Sequence, residues 1–176
     1  MENTVAEDFL NECKLRIESS FQRIYHCLDQ LDEKKIWWQP NDKMNSIGIL
    51  IKHICGSFRQ WAITSINNEE DVRHRPEEFL NDSKIDKEEL TQLAATLKSD
   101  FLTVIENLDA SRLTESRRIQ GYNVTLMSAL FRALIHLEGH IGQIILLTRI
   151  QSGDNYKIFW TPQTSEQKAE RNSNLS

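Results

Sequence analysis

Apolar residues return every three or four positions over four long stretches of this chain, the spacing that lays one stripe along a helix. The first stretch, from about residue 4 to 33, carries Leu10, Cys13, Ile17, Phe21, Ile24, Leu28 and Leu31, and Thr4 followed by Glu7 has the form of a capping box at its start. A second helix is predicted over roughly 47–67, with Asn45-Ser46 offering the N-cap and Ile47, Leu50, Ile51, Ile54, Phe58 and Trp61 on its stripe. A third starts on Asp86 and Glu89 and runs to about Leu108, with Leu90, Leu93, Leu97, Phe101, Val104 and Leu108 on one side. The fourth begins near Thr125 and runs to about Gln151, where Gly153 offers a stop. It is apolar on more than one side, which predicts the most buried helix of the set.

The connections are polar. Trp37-Trp38-Gln39-Pro40 closes the first helical region, because proline disfavours a helical residue before it. Residues 67–84 are long for a bundle connection and contain Pro76; they are expected to cross the bundle end or to form a short helical turn around Glu77 to Leu80. Residues 109–123 are irregular, with a short hairpin expected around Gly121. Tyr156 to Pro162 reads as a strap carrying Phe159 and Trp160 onto the bundle, and the polar residues from Thr164 onwards as a disordered tail. The fold expected is therefore all-α: a four-helix bundle over residues 1–162 with a long crossover connection and a short hairpin between helices 3 and 4, followed by a polar tail over 163–176.

Composition narrows the function. The formal net charge of −5 argues against a broad nucleic-acid footprint, which needs a basic face. The first residues hold neither a basic n-region nor an apolar h-region, and charged residues interrupt the apolar stretch from Val124 to Ile150, so a cytoplasmic protein with no membrane span is expected. Cys13, Cys27 and Cys55 form no CxxC pair and read as buried, reduced thiols.

The chemistry sits in the histidines. His136 and His140 are four residues apart, so their rings leave one face of the fourth helix, within reach of one ion. A polar pair on a helix surface is the bland alternative, strained here by the apolar neighbours Ile135, Leu137, Ile141 and Ile144. His53, beside the stripe of the second helix, is the best third ligand, against the plainer role of a core-edge histidine bonded to a neighbour. His26 lies off its stripe, His74 sits in a polar loop, and Glu138 points to the other side of its helix.

Two segments resemble the DinB/YfiT-like superfamily of metal-binding four-helix bundles, over roughly residues 1–162. One is Trp38-Gln39-Pro40, Asn45-Ser46-Ile47 and His53, with Ser57 and Trp61 following at steps of four; the other is His136-Leu137-Glu138-Gly139-His140-Ile141-Gly142-Gln143, similar to the family's His-x-x-x-His-x-Gly-Gln helix. The resemblance implies a divalent metal, zinc or nickel, on His53, His136 and His140. Family members often carry Arg after the last histidine; here Ile141 stands there, so no anion contact is carried over to that position. Some members join a low-molecular-weight bacterial thiol to an electrophile, others resemble metal-dependent hydrolases, and a non-catalytic stress-response bundle is a third class. The resemblance thus implies a metalloenzyme with a small thiol and an electrophile as partners, and small bundles of this kind often pair as homodimers. Gln143 is expected either to contact substrate or a metal-bound water, or to make a supporting hydrogen bond behind a ligand or to another helix; Trp61 is expected either to wall the pocket or to fill the core, and Ser57 to allow close packing.

Overall fold

Each long helix starts on the cap its sequence provides. In the computed structural model, which describes residues 4–80 and 84–161, α1 (Val5–Asp29) opens with Thr4 Oγ1 accepting from Glu7 N at 3.2 Å while the Glu7 carboxylate accepts from Thr4 N. Asp86 and Glu89 make the same reciprocal pair at the start of α5 (Lys87–Glu106). Ser46 caps α3 (Ile47–Phe58), and Thr125 caps α6 (Leu126–Ser152), which stops at Gly153 with φ 54°.

Two helices differ from the expected outline. The first stops at Asp29; Asp32 then accepts from Lys35 N at 2.9 Å and starts a one-turn helix, α2 (Glu33–Ile36). Leu31 stays buried across the break, so the apolar period runs on and hides it. The second continues α3 through a π-helical turn, Arg59–Thr64, into α4 (Ser65–Asn67). Ser65 Oγ bonds back to the carbonyls of Trp61 and Ala62 within this widened stretch.

The helices α1 and α3 each pack against both α5 and α6, which closes a four-helix bundle. Ile17, Phe21, Ile24, Ile51 and Phe101 are fully buried at its centre, and Phe58 meets Phe101 edge-to-face at 4.9 Å between α3 and α5. On α5 the inner stripe is Leu90, Ala94, Leu97, Phe101 and Ile105; Leu93 lies at its exposed edge.

The expectation that the fourth helix is the most buried is corrected. Phe131, Ile135, Leu146 and Ile150 on α6 are each more than half exposed, whereas every residue of α3 except Lys52 and Gly56 is buried. The cause is placement: α3 lies between α5 and α6, and the crossover covers its remaining face with a 3-10 turn, Arg75–Phe79. By length and composition α6 could cross a membrane, but its inner face packs on α1 and α3 as a bundle helix.

The hairpin forms as expected, β1 (Ser116–Ile119) pairing antiparallel with β2 (Tyr122–Thr125). Gln120 and Gly121 both take positive φ, as a two-residue hairpin turn requires. The strap after α6 is held by its backbone: Lys157 N donates to Gln30 Oε1, and His26 Nε2 donates to Lys157 O at 2.7 Å. Phe159 touches His26 edge-on, yet Trp160 remains half exposed. The polar tail lies outside the described residues.

The packing predicts a sharp contrast in stability. Phe101→Ala should cost about 3–5 kcal/mol through the cavity it leaves. Phe131→Ala, on the outer face, should stay within about 0.5 kcal/mol. Urea midpoints of the two variants check this; equal shifts would contradict the core assignment.

Candidate metal centre

The bundle brings the three expected histidines together. His53 projects from α3 toward α6, and His136 and His140 leave α6 one turn apart, with ring centroids 4.4 Å from each other and 5.1 and 5.0 Å from His53. One nitrogen from each ring lies within 4.8 Å of the others, and the Nε2 atoms of His53 and His136 are 3.0 Å apart. His53 is buried; the two α6 rings are more open. The other two histidines are elsewhere, His26 on α1 against the strap and His74 exposed ahead of the 3-10 turn. Glu138 faces α1, where it accepts from Arg23 at 2.6 Å and from Ser20.

A second set of residues fixes these rings, and sequence reasoning missed most of it. Glu78 Oε2, from the 3-10 turn, lies 2.8 Å from His53 Nδ1. A carboxylate there accepts, so Nδ1 carries the proton and Nε2 presents its lone pair to the centre. Arg73 grips the same carboxylate through Nε at 2.6 Å and Nη2 at 2.8 Å, and its Nη1 donates to Gln60 Oε1. Gln120 from the hairpin turn donates to that oxygen too. On the far side, Gln143 Oε1 accepts from His140 Nδ1 at 3.0 Å, which turns the His140 Nε2 lone pair inward. Gln143 therefore holds a ring in place and does not line the cavity beside the histidines.

Gly56 makes room for this support. A Cβ at that position would sit 2.0 Å from Glu78 Oε1 and 3.1 Å from Arg73 Nε. Glycine costs an α-helix about 1 kcal/mol relative to alanine, and here it lets a buried ion pair lie flat on α3. A glycine inside an apolar helix was the available signal, but α3 also holds Gly48, and the neighbour of Gly56 comes from a connection more than fifteen residues away.

The electrostatics favour neutral imidazoles at His136 and His140, the form that ligates a metal. Burial, followed by the positive neighbours His140, His53, Arg73 and Arg132, pushes His136 down to about 4. Burial and His53 also lower His140, against the opposing bond to Gln143. Burial alone would raise Glu78, but the bonds from Arg73 and His53 hold it below the usual carboxylate range. Burial pushes the thiols of Cys13 and Cys55 up to about 12, so both stay protonated.

The donor set fits a divalent cation. His140 Nε2 is buried and has no hydrogen-bond partner, an arrangement that is costly for a polar atom unless an ion takes its lone pair. Zinc–nitrogen bonds of about 2.0–2.1 Å at tetrahedral angles set ligand nitrogens about 3.3 Å apart, close to the 3.0 Å between His53 and His136. A cavity of about 410 Å³ opens beside His53 and His136, walled by Ser57 and by Trp61, which is both buried and pocket-lining. A second cavity, of about 470 Å³, lies beyond the Arg73–Glu78 pair and touches none of the three histidines.

Loss of this support should weaken metal binding while leaving the three ligands in the chain. Gly56→Ala and Glu78→Gln are each expected to lower zinc affinity by about 10–100-fold. Competition against a chromogenic chelator measures this; wild-type affinity in both variants would contradict a supporting role for Glu78.

Comparison with known proteins agrees with this fold. The structure is similar to that of a DinB-like protein, YjoA, from Bacillus subtilis, with a TM-score of 0.66 at 19% identity over 86% of this chain and 99% of that one. It is also similar to a DinB-like protein from Bacillus cereus ATCC 10987, with a TM-score of 0.67 at 16% identity over 91% of this chain and 100% of that one. No curated protein matches the sequence. The family model described as "Protein of unknown function (DUF1572)" matches residues 4–165. On that match the chain belongs to the DUF1572 family, a DinB-like family, and its fold is the DinB-like helical bundle.

Proposed function

We propose that this chain is a metal-dependent enzyme in which His53, His136 and His140 hold one divalent cation, zinc or nickel, and that it joins a low-molecular-weight thiol to an electrophile. The observation that carries this reading is the convergence of three imidazoles on one point, with His140 Nε2 buried and unpartnered there. Three neutral protein donors resemble open catalytic sites more than closed structural ones. Bound there, the cation would supply Lewis acidity that makes a thiol or a water far more acidic.

The chain's own groups support a nucleophile brought in from outside. Cys55, on the same helix as His53, is held protonated by burial. Glu78, the buried carboxylate of the site, is already engaged by Arg73 and His53 and is not free to activate Ser57. Glu78 and Gln143 hold two rings in the tautomer that leaves Nε2 bare, and Trp61 excludes water from one wall of the cavity. The substrates on this reading are small molecules in a cytoplasmic setting, with neither nucleic acid nor membrane as partner.

Two measurements test it. Elemental analysis of purified protein should find about one divalent ion per chain, lost in His136→Ala and His140→Ala and kept in His74→Ala; equal metal content in all three variants would overturn the ligand assignment. Conjugation of a small thiol to a chromogenic electrophile should stop on chelation and return with zinc or nickel. Bound metal with no reaction on any thiol would point to a bundle that acts by association. Ester turnover lost on chelation would point to a hydrolase.

A further inference from the structure

The cavity beside His53 and His136 is positively charged in a chain whose net charge is −5. No Asp or Glu is among the described residues that line it, while Arg73, Arg75 and Arg132 all do. Arg73 is neutralised by its pairing with Glu78. Arg75 and Arg132 form no ion pair with any described residue.

Both free guanidiniums are placed by aromatic faces. The Arg132 guanidinium lies 4.2 Å from the ring centroid of Trp61 and 5.6 Å from that of Tyr122. Arg75 lies 5.1 Å from the ring of Phe79, and Phe79 in turn packs on His53 at 5.1 Å. Stacking occupies the face of a guanidinium and leaves its N–H edge available. Three separate segments meet here: the crossover turn supplies Arg75, α6 supplies Arg132, and the π-helical turn supplies Trp61. The sequence gives no sign of this pairing, because the two arginines are far apart in the chain and each looks like an ordinary surface charge.

We infer that Arg75 and Arg132 form an anion-binding subsite, so that the substrate handled beside the three histidines carries a carboxylate. As a statement about substrate, this rests on the reading that the histidines are the reactive centre. The binding of the anion does not. Two unpaired guanidiniums in a partly enclosed cavity attract a carboxylate by charge-assisted, bidentate hydrogen bonds. They disfavour a cationic ligand by the same field.

Succinate serves as the probe and uncharged succinamide as its isosteric control. Binding to the full-length protein is followed by NMR titration at low salt, both as purified and after chelation. The account expects succinate to bind, succinamide to bind at least about tenfold more weakly, and Arg75→Gln and Arg132→Gln each to weaken succinate about tenfold. Arg149→Gln, whose arginine lies over Tyr156, should bind succinate as the wild type does. Added salt should weaken binding. Wild-type affinity in both Arg75→Gln and Arg132→Gln, or equal binding of succinamide, would overturn the subsite, including the case in which chelation alone abolishes binding. Absence of metal would sink the enzymatic reading yet leave arginine-dependent succinate binding intact, so the two failures are distinguishable.

Discussion

The hydrogen bond between His53 Nδ1 and Glu78 organises everything else at this site. It joins a bundle helix to the crossover that packs on it, and it fixes the ring whose opposite nitrogen faces α6. A buried carboxylate is tolerable only when paired. Arg73 supplies the pairing, and through Gln60 and Gln120 the same network reaches the hairpin turn. The crossover is thus a structural part of the histidine cluster, and Gly56 is the gap in α3 that admits it.

The division of labour follows from rigidity. The three histidines sit on α3 and α6, which pack directly against each other, so their rings are preset by the core. The residues that surround them come from less regular pieces: Trp61 from the π-helical turn, Arg73 and Arg75 from the crossover, Gln120 from the hairpin. Such segments can change in sequence without disturbing the helices that carry the histidines.

Much of the bundle was legible in the sequence, because caps and apolar period are local properties. Thr4, Ser46, Asp86 and Thr125 each start the helix expected of them, and the spacing of His136 and His140 sets their shared face. Burial was harder to read. Leu93 and Leu97 are one turn apart on the same side of α5, yet Leu97 is buried while Leu93 lies at the exposed edge of the stripe, and the apolar outer face of α6 looks on paper like core. The break after Asp29 was masked by the buried Leu31. The Glu78–Arg73 support and the Arg75–Arg132 pair escaped altogether, since both depend on where a long connection folds back, which no local pattern encodes.

The central claim is that three imidazoles share one ion. Anomalous diffraction from crystals grown with zinc, recorded on either side of the zinc edge, tests it most directly. The account predicts a single strong peak about 2.0–2.1 Å from the Nε2 atoms of His53, His136 and His140. A peak placed elsewhere, or density showing the three rings bonded only to one another and to water, would contradict it.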